Sequence, residues 1–118
     1  MSTDSAGSPI KTEPSGSERR TVPRYSLIAT AEVIEPVSDV RISGRISEIS
    51  RKGCYVDILN PLPRETRIRL RISRDRGDFV ATGKIIYVQQ GMGMGVAFLE
   101  VADAQLELLD SWLVELNG

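Results

Sequence analysis

The stretch RIRLRI, Arg67 to Ile72, alternates charged and aliphatic side chains at every step. Successive side chains of an extended chain point to opposite faces, so Ile68, Leu70 and Ile72 share one face and Arg67, Arg69 and Arg71 the other. A helix would scatter the same residues around its axis. The period recurs along the chain: Leu27, Ala29, Ala31 and Val33; Val40, Ile42 and Ile46; Cys54, Val56 and Ile58; Met94, Val96 and Phe98. Residues 79–88 are β-branched and apolar enough for a longer strand. EPVSD (35–39), NPLPRET (60–66), SRDRGD (73–78) and QQGMGMG (89–95) supply the turns, and the two prolines of NPLPRET exclude a central strand there. The period breaks at EISRKG, residues 48–53, where Gly53 suits a bend.

After Val101 the spacing changes. Leu106, Leu109, Leu113 and Leu116 recur at three, four and three, one stripe of a helix. Asp103 is placed as its N-cap, and Asn117-Gly118 as a stop signal. The expectation is five to seven short antiparallel strands followed by one helix over 103–116. With one Trp, three Tyr and two Phe the interior must be largely aliphatic. Closing such strands into a small barrel removes edges that would otherwise pair with other chains.

Residues 1–18 read as a disordered tail. They are rich in Ser, Thr, Pro and Gly, with only Met1 and Ile10 as sizeable apolar groups, too little to offset the entropy of ordering. The remaining 19–118 are enough for one domain with one core. No apolar run approaches a membrane span, and no basic start with an apolar stretch marks a secretory signal. The single cysteine, Cys54, cannot form an internal disulfide, and its place on an apolar face reads as a small buried hydrophobe. These features imply a cytoplasmic location.

There is no histidine, which removes the commonest general base and the commonest metal ligand. One cysteine without histidine makes neither a zinc site nor a Cys–His nucleophile. The reading is of a non-enzyme without metal or cofactor. The net charge of −1 is unevenly spread: residues 19–76 carry thirteen basic and seven acidic side chains, whereas 77–118 carry one lysine and six acids. The basic first half favours a bound anion, while overall acidity and scarce aromatics argue against a DNA- or RNA-binding barrel. Arg67, Arg69 and Arg71 read as a solvated strand face, and Trp112 as a helix-to-barrel packing residue.

Two motifs stand apart from the scaffold. The first is Arg20-Thr-Val-Pro-Arg24, with Arg19 just before it. Pro23 biases Val22 toward extended geometry, and residues four apart on an extended chain project to one side, roughly 13 Å apart at about 3.3 Å per residue. Two guanidiniums so placed can grip two phosphates or stack on purine rings. The second is Glu48-Ile-Ser-Arg-Lys-Gly53. Here a carboxylate offers paired acceptors to a guanine edge, Ser50 a hydroxyl, and Gly53 close backbone approach. Arg51 and Lys52 are positioned to assist a phosphate. A basic segment followed by an ordinary turn is the plainer account of either motif alone.

Together, R-x-x-x-R before a first strand and D/N-x-S-x-x-G about two dozen residues later resemble the PilZ family. The resemblance extends through RISEISRKGCYVDI, PLPRETRIRLRI and GMGVAFLEV, where Gly95 and Phe98 fit the family's G-x-x-F. It implies a six-stranded antiparallel barrel with a C-terminal helix that binds the bacterial second messenger cyclic di-GMP. The ligand-binding residues it implies are Arg20 and Arg24 on phosphate and guanine, with Glu48, Ser50 and Gly53 across the site. Arg19 implies a stacked ligand dimer over a single molecule. Ordering of the Arg19–Arg24 segment on binding would signal to a protein partner. The family prefers Asp or Asn where this chain has Glu48. The extra methylene favours an alternative, a degenerate PilZ-like adaptor that contacts proteins without binding cyclic di-GMP.

Overall fold

The computed structural model describes residues 22–75 and 77–117. The tail assigned to 1–18, together with Arg19 and Arg20, lies outside them. Six strands and one helix follow in order: β1 (Arg24–Glu35), β2 (Val40–Ser50), β3 (Gly53–Asp57), β4 (Arg67–Arg74), β5 (Gly77–Gln89), β6 (Gly93–Glu100) and α1 (Asp103–Asn117). Neighbouring strands pair antiparallel in the order β1-β2-β3-β6-β5-β4, and β4 returns to β1, so the barrel is closed.

The alternation of RIRLRI sets this inside and outside as expected. Ile68, Leu70 and Ile72 are at most 1% exposed, and the three arginines between them face solvent. Val33, Ile46, Ile49, Val56, Phe79, Ile85 and Met94 complete an interior with no accessible surface. Truncating any one of these aliphatic side chains to alanine removes about 2–5 kcal/mol by lost transfer energy and an unfilled cavity.

Helix α1 lies across one end of the barrel. Leu109 and Trp112 are buried beneath it, and the Trp112 ring tilts against Phe79 at 6.2 Å, which in turn meets Phe98 at 5.2 Å. Arg74 covers the outer face of the indole, its guanidinium 5.2 Å from the ring centre, and pairs with Glu115 at 3.2 Å. Trp112 therefore packs helix to barrel, as its sequence setting suggests. The helix begins one residue earlier than the capping pattern implies. Leu106 N–H already donates to the Ala102 carbonyl, so Asp103 sits inside the first turn, where its charge still meets the positive end of the dipole.

At Gly53 the β3–β6 ladder leaves no room for a side chain. Gly53 pairs with Ala97, and a Cβ at residue 53 would fall 2.2 Å from the Val96 carbonyl oxygen. That neighbour is backbone and cannot swing aside. Gly53→Ala is expected to destabilise the barrel by about 1–3 kcal/mol, the range for overpacking. Urea unfolding checks this: the midpoint falls while the slope is unchanged. A midpoint equal to that of the unaltered protein would show that the ladder yields freely.

Candidate ligand-binding site

Arg24 and the second motif meet because they occupy the open ends of one hairpin. Pro23 has no N–H to give to a ladder, so β1 starts at Arg24. The register set at the EPVSD turn holds as far as the pair Ala29–Ile46, and an irregularity between Ser26 and Ala29 then shifts it by one, which brings Arg24 opposite Ser50 and Ser26 opposite Glu48. Alternation alone would not put Glu48 on the outside. Ile46 points inward, so a strict period of two would bury residue 48 and expose Ile49. Instead Ser47 is an extra residue between the pairs Ile46–Val56 and Glu48–Tyr55, a β-bulge that reverses the faces. Ile49 is fully buried, and Glu48 turns outward beside Arg24. The Ser47 hydroxyl donates to Asp57 Oδ1 at 3.0 Å across the bulge.

Arg24 Nη1 lies 3.2 Å from Glu48 Oε1, both side chains a little under half exposed. The longer carboxylate thus reaches the guanidinium directly. Ser50, 7% exposed, faces its own turn: Oγ accepts from Lys52 N–H at 3.1 Å and Gly53 N–H at 3.2 Å and donates to the Gly53 carbonyl at 3.3 Å. A hydroxyl has one proton and two lone pairs, so its capacity is filled within the turn. Arg51 points away from Arg24 and pairs with Asp110 of α1 at 3.0 Å. Lys52 is exposed and unpaired among the described residues.

Arg24, Glu48, Ser50, Lys52 and Gly53 line one cavity of about 380 Å³. Its charged side chains number two cations and one anion, and a volume of this size suits a small-molecule ligand. The far wall is aromatic and apolar, which the two motifs did not indicate: Tyr55, Ile86 and Tyr87 contribute to it, with Gly95 between the tyrosines. A second bulge is responsible. Ile85 pairs with Val96 and Tyr87 with Gly95, leaving Ile86 unpaired, so Ile86 and Tyr87 are both about half exposed while Val88 turns inward. The available signal was the spacing of buried positions, three rather than two from Ile85 to Val88 as from Ile46 to Ile49.

The PilZ domain model matches residues 18–115. The chain belongs to the PilZ family. The fold is similar to that of several solved structures. The PilZ domain of YcgR from Escherichia coli, solved with c-di-GMP, superposes with a TM-score of 0.72 at 14% identity over 85% of this chain and 92% of that one. The PilZ domain of CeSA from a cellulose-synthesizing bacterium gives 0.65 at 18% identity over 81% and 99%. The Bacillus subtilis inhibitor of motility, MotI/DgrA, gives 0.69 at 16% identity over 83% of this chain and 50% of that protein, so the chain spans half its length. No curated protein sequence matches the chain. At these identities the likeness is one of fold, and it agrees with the six-stranded barrel and C-terminal helix expected from the sequence.

Beneath the PilZ motif residues, Cys54 forms part of the cavity floor. Burial pushes its thiol up to about 12 from an ordinary 9.0, which leaves almost no thiolate at neutral pH. Reaction with a disulfide reagent at pH 8 is expected to be far slower in the folded protein than in denaturant, because burial withholds both the thiolate and access to it. Rapid native-state labelling would mean that the cavity floor is open to solvent.

Proposed function

We propose that this chain is a non-catalytic receptor for cyclic di-GMP, in which Arg20 and Arg24 hold phosphate and guanine against the turn from Glu48 to Gly53. The observation that carries the reading is convergence. Arg24, Glu48 and Gly53, spread over thirty residues of sequence, border one cavity whose remaining charged side chain is Lys52. Membership of the PilZ family and a YcgR domain solved with c-di-GMP support the same ligand. Ser50 acts through the turn, holding the Lys52 and Gly53 backbone in place. Arg19, immediately before the clamp, favours two stacked ligands.

The Arg24–Glu48 pair is the one observation that favours the adaptor alternative, since each partner already satisfies the other. Magnitude argues against it as a block. A half-exposed ion pair contributes about 0–1 kcal/mol, whereas a charge-assisted hydrogen bond from Arg24 to a phosphate contributes about 1.5–3 kcal/mol. A dianionic ligand therefore displaces Glu48 from the guanidinium at little cost, or accepts from Arg24 while Glu48 remains nearby. The signal would leave through the Arg19–Arg24 segment, fixed against the barrel by the ligand and presented to a protein partner.

Calorimetric titration with cyclic di-GMP tests this. The unaltered protein is expected to bind, and Arg20→Ala/Arg24→Ala to lose binding. No heat at high micromolar ligand would leave the adaptor; binding that survives loss of both arginines would place the site elsewhere. Glu48→Asp is expected to bind up to about tenfold more tightly, because the shorter carboxylate releases Arg24. Unchanged affinity there would show that the ligand accommodates the pair as it stands.

A further inference from the structure

The side of the barrel formed by β1 and β4 carries a groove that shares no residue with the ligand cavity. The β1–β4 ladder stops at the pair Thr30–Ser73, and beyond it α1 lies where a strand would continue. The space between helix and strands is about 970 Å³. Ile28 stands in it, 79% exposed, between Leu27 and Ala29, which face the core. Charge is divided across this groove. On its barrel side Arg69 and Arg71 of β4 and Arg45 of β2 are exposed, and none of the three has an ion-pair or hydrogen-bond partner among the described residues. Glu32, the ladder partner of Arg71, is drawn instead to Arg41 at 3.6 Å. On its helix side stand acids. Asp75 and Glu115 line the groove, and exposed Glu107 lies one turn before Ser111, another lining residue. Helix α1 carries four acids and no base. Arg74, which also lines the groove, is committed to Glu115 and the Trp112 ring.

Unpaired guanidiniums at neighbouring positions repel one another until an anionic surface meets them, and the exposed isoleucine beside them is apolar surface left in water. A polyanion, whether a nucleic acid or an anionic bilayer, would meet the arginines but also the acids on the same side. The surface that matches both halves is the same surface turned through a half-rotation. We propose that a second copy of this chain docks here about a two-fold axis beside Ile28, with Arg69 and Arg71 of each copy against Asp75 and Glu107 of the other. An isologous contact of this kind uses each pairing twice and sets the two Ile28 side chains together near its centre, where buried anchors contribute most. Arg71 lies level with Glu32, four residues along β1 from Ile28, about 13 Å from the axis at the rise of a strand. A standard interface of about 800 Å² per partner has a radius of about 16 Å, so the arginine falls within it. The net charge of −1 leaves little overall repulsion between copies. The proposal is independent of the nucleotide reading.

Sedimentation equilibrium of the full chain, in low salt and without nucleotide, tests this. The unaltered protein is expected to form dimers that loosen as salt is raised to about 0.5 M, where exposed charges are screened within a few ångströms. Arg69→Glu/Arg71→Glu and Asp75→Lys/Glu107→Lys are each expected to weaken dimerisation at least about tenfold, because like charges then face each other. Mixing the two variants restores it, since every acidic patch again meets a basic one. A misfolded variant cannot give that rescue, and a thermal melt of each checks that it folds alone. Ile28→Asp is expected to separate the copies as well. A chain that stays monomeric at about millimolar concentration in low salt overturns the proposal. So do dimers indifferent to both charge reversals, and reversed variants that fold but stay apart when mixed. Monomers that sediment with phosphatidylglycerol vesicles through Arg69 and Arg71 would give the face to an anionic surface and equally overturn the pairing.

Discussion

Closure of the barrel constrains everything else in this molecule. Once β4 pairs back onto β1, each strand has one face sealed inside, and a residue's side is set by its parity along the strand. A binding site on the outer face must then draw on outward positions of several strands at one level. Parity does not deliver them. Ile46 and Ile49 are both buried, as are Ile85 and, in part, Val88, so β2 and β5 each bury positions three apart. The insertions at Ser47 and Ile86 reconcile these spacings with a continuous core. They also turn Glu48 and Tyr87 outward onto the same cavity. Core and site are thus two consequences of the same two bulges.

That origin explains what could be read without coordinates. RIRLRI and the stripe from Leu106 to Leu116 each obey a single period, and both the β4 face and the helix were legible to within a residue or so. The break near Glu48 was visible as a disturbance, but the strand continues through it to Ser50, and its meaning lay in the pairing with β3. Arg24 and Gly53 could be nominated because their motif is local. Tyr55 and Tyr87 could not, since nothing local distinguishes an outward tyrosine beside a glycine from an inward one. Their proximity depends on β6 being inserted between β3 and β5, a long-range pairing. Ser50 shows the limit from another side: residue type suggested a hydroxyl facing the ligand, whereas its lone pairs and proton are taken up by the turn.

The two-residue turn at Arg51 and Lys52 joins the site to the helix. Lys52 borders the cavity, its carbonyl accepts from Phe98 N–H at 2.8 Å, and Arg51 next to it pairs with Asp110 on α1 at 3.0 Å. The start of β1 makes a parallel connection, Tyr25 to Asn117 at the end of the helix, at 3.4 Å. Arg24 and Lys52 therefore each sit next to a residue that contacts α1. These links are exposed and individually weak, about 1 kcal/mol or less for the ion pair. The buried contact between Trp112 and Phe79 holds the helix on the barrel, whereas exposed contacts of this strength can break and re-form without unfolding it. Val114, 73% exposed, lies on the face of α1 away from the core. Two short connections among the described residues, the turn between Ser50 and Gly53 and the start of β1 at Tyr25, thus join the cavity to α1.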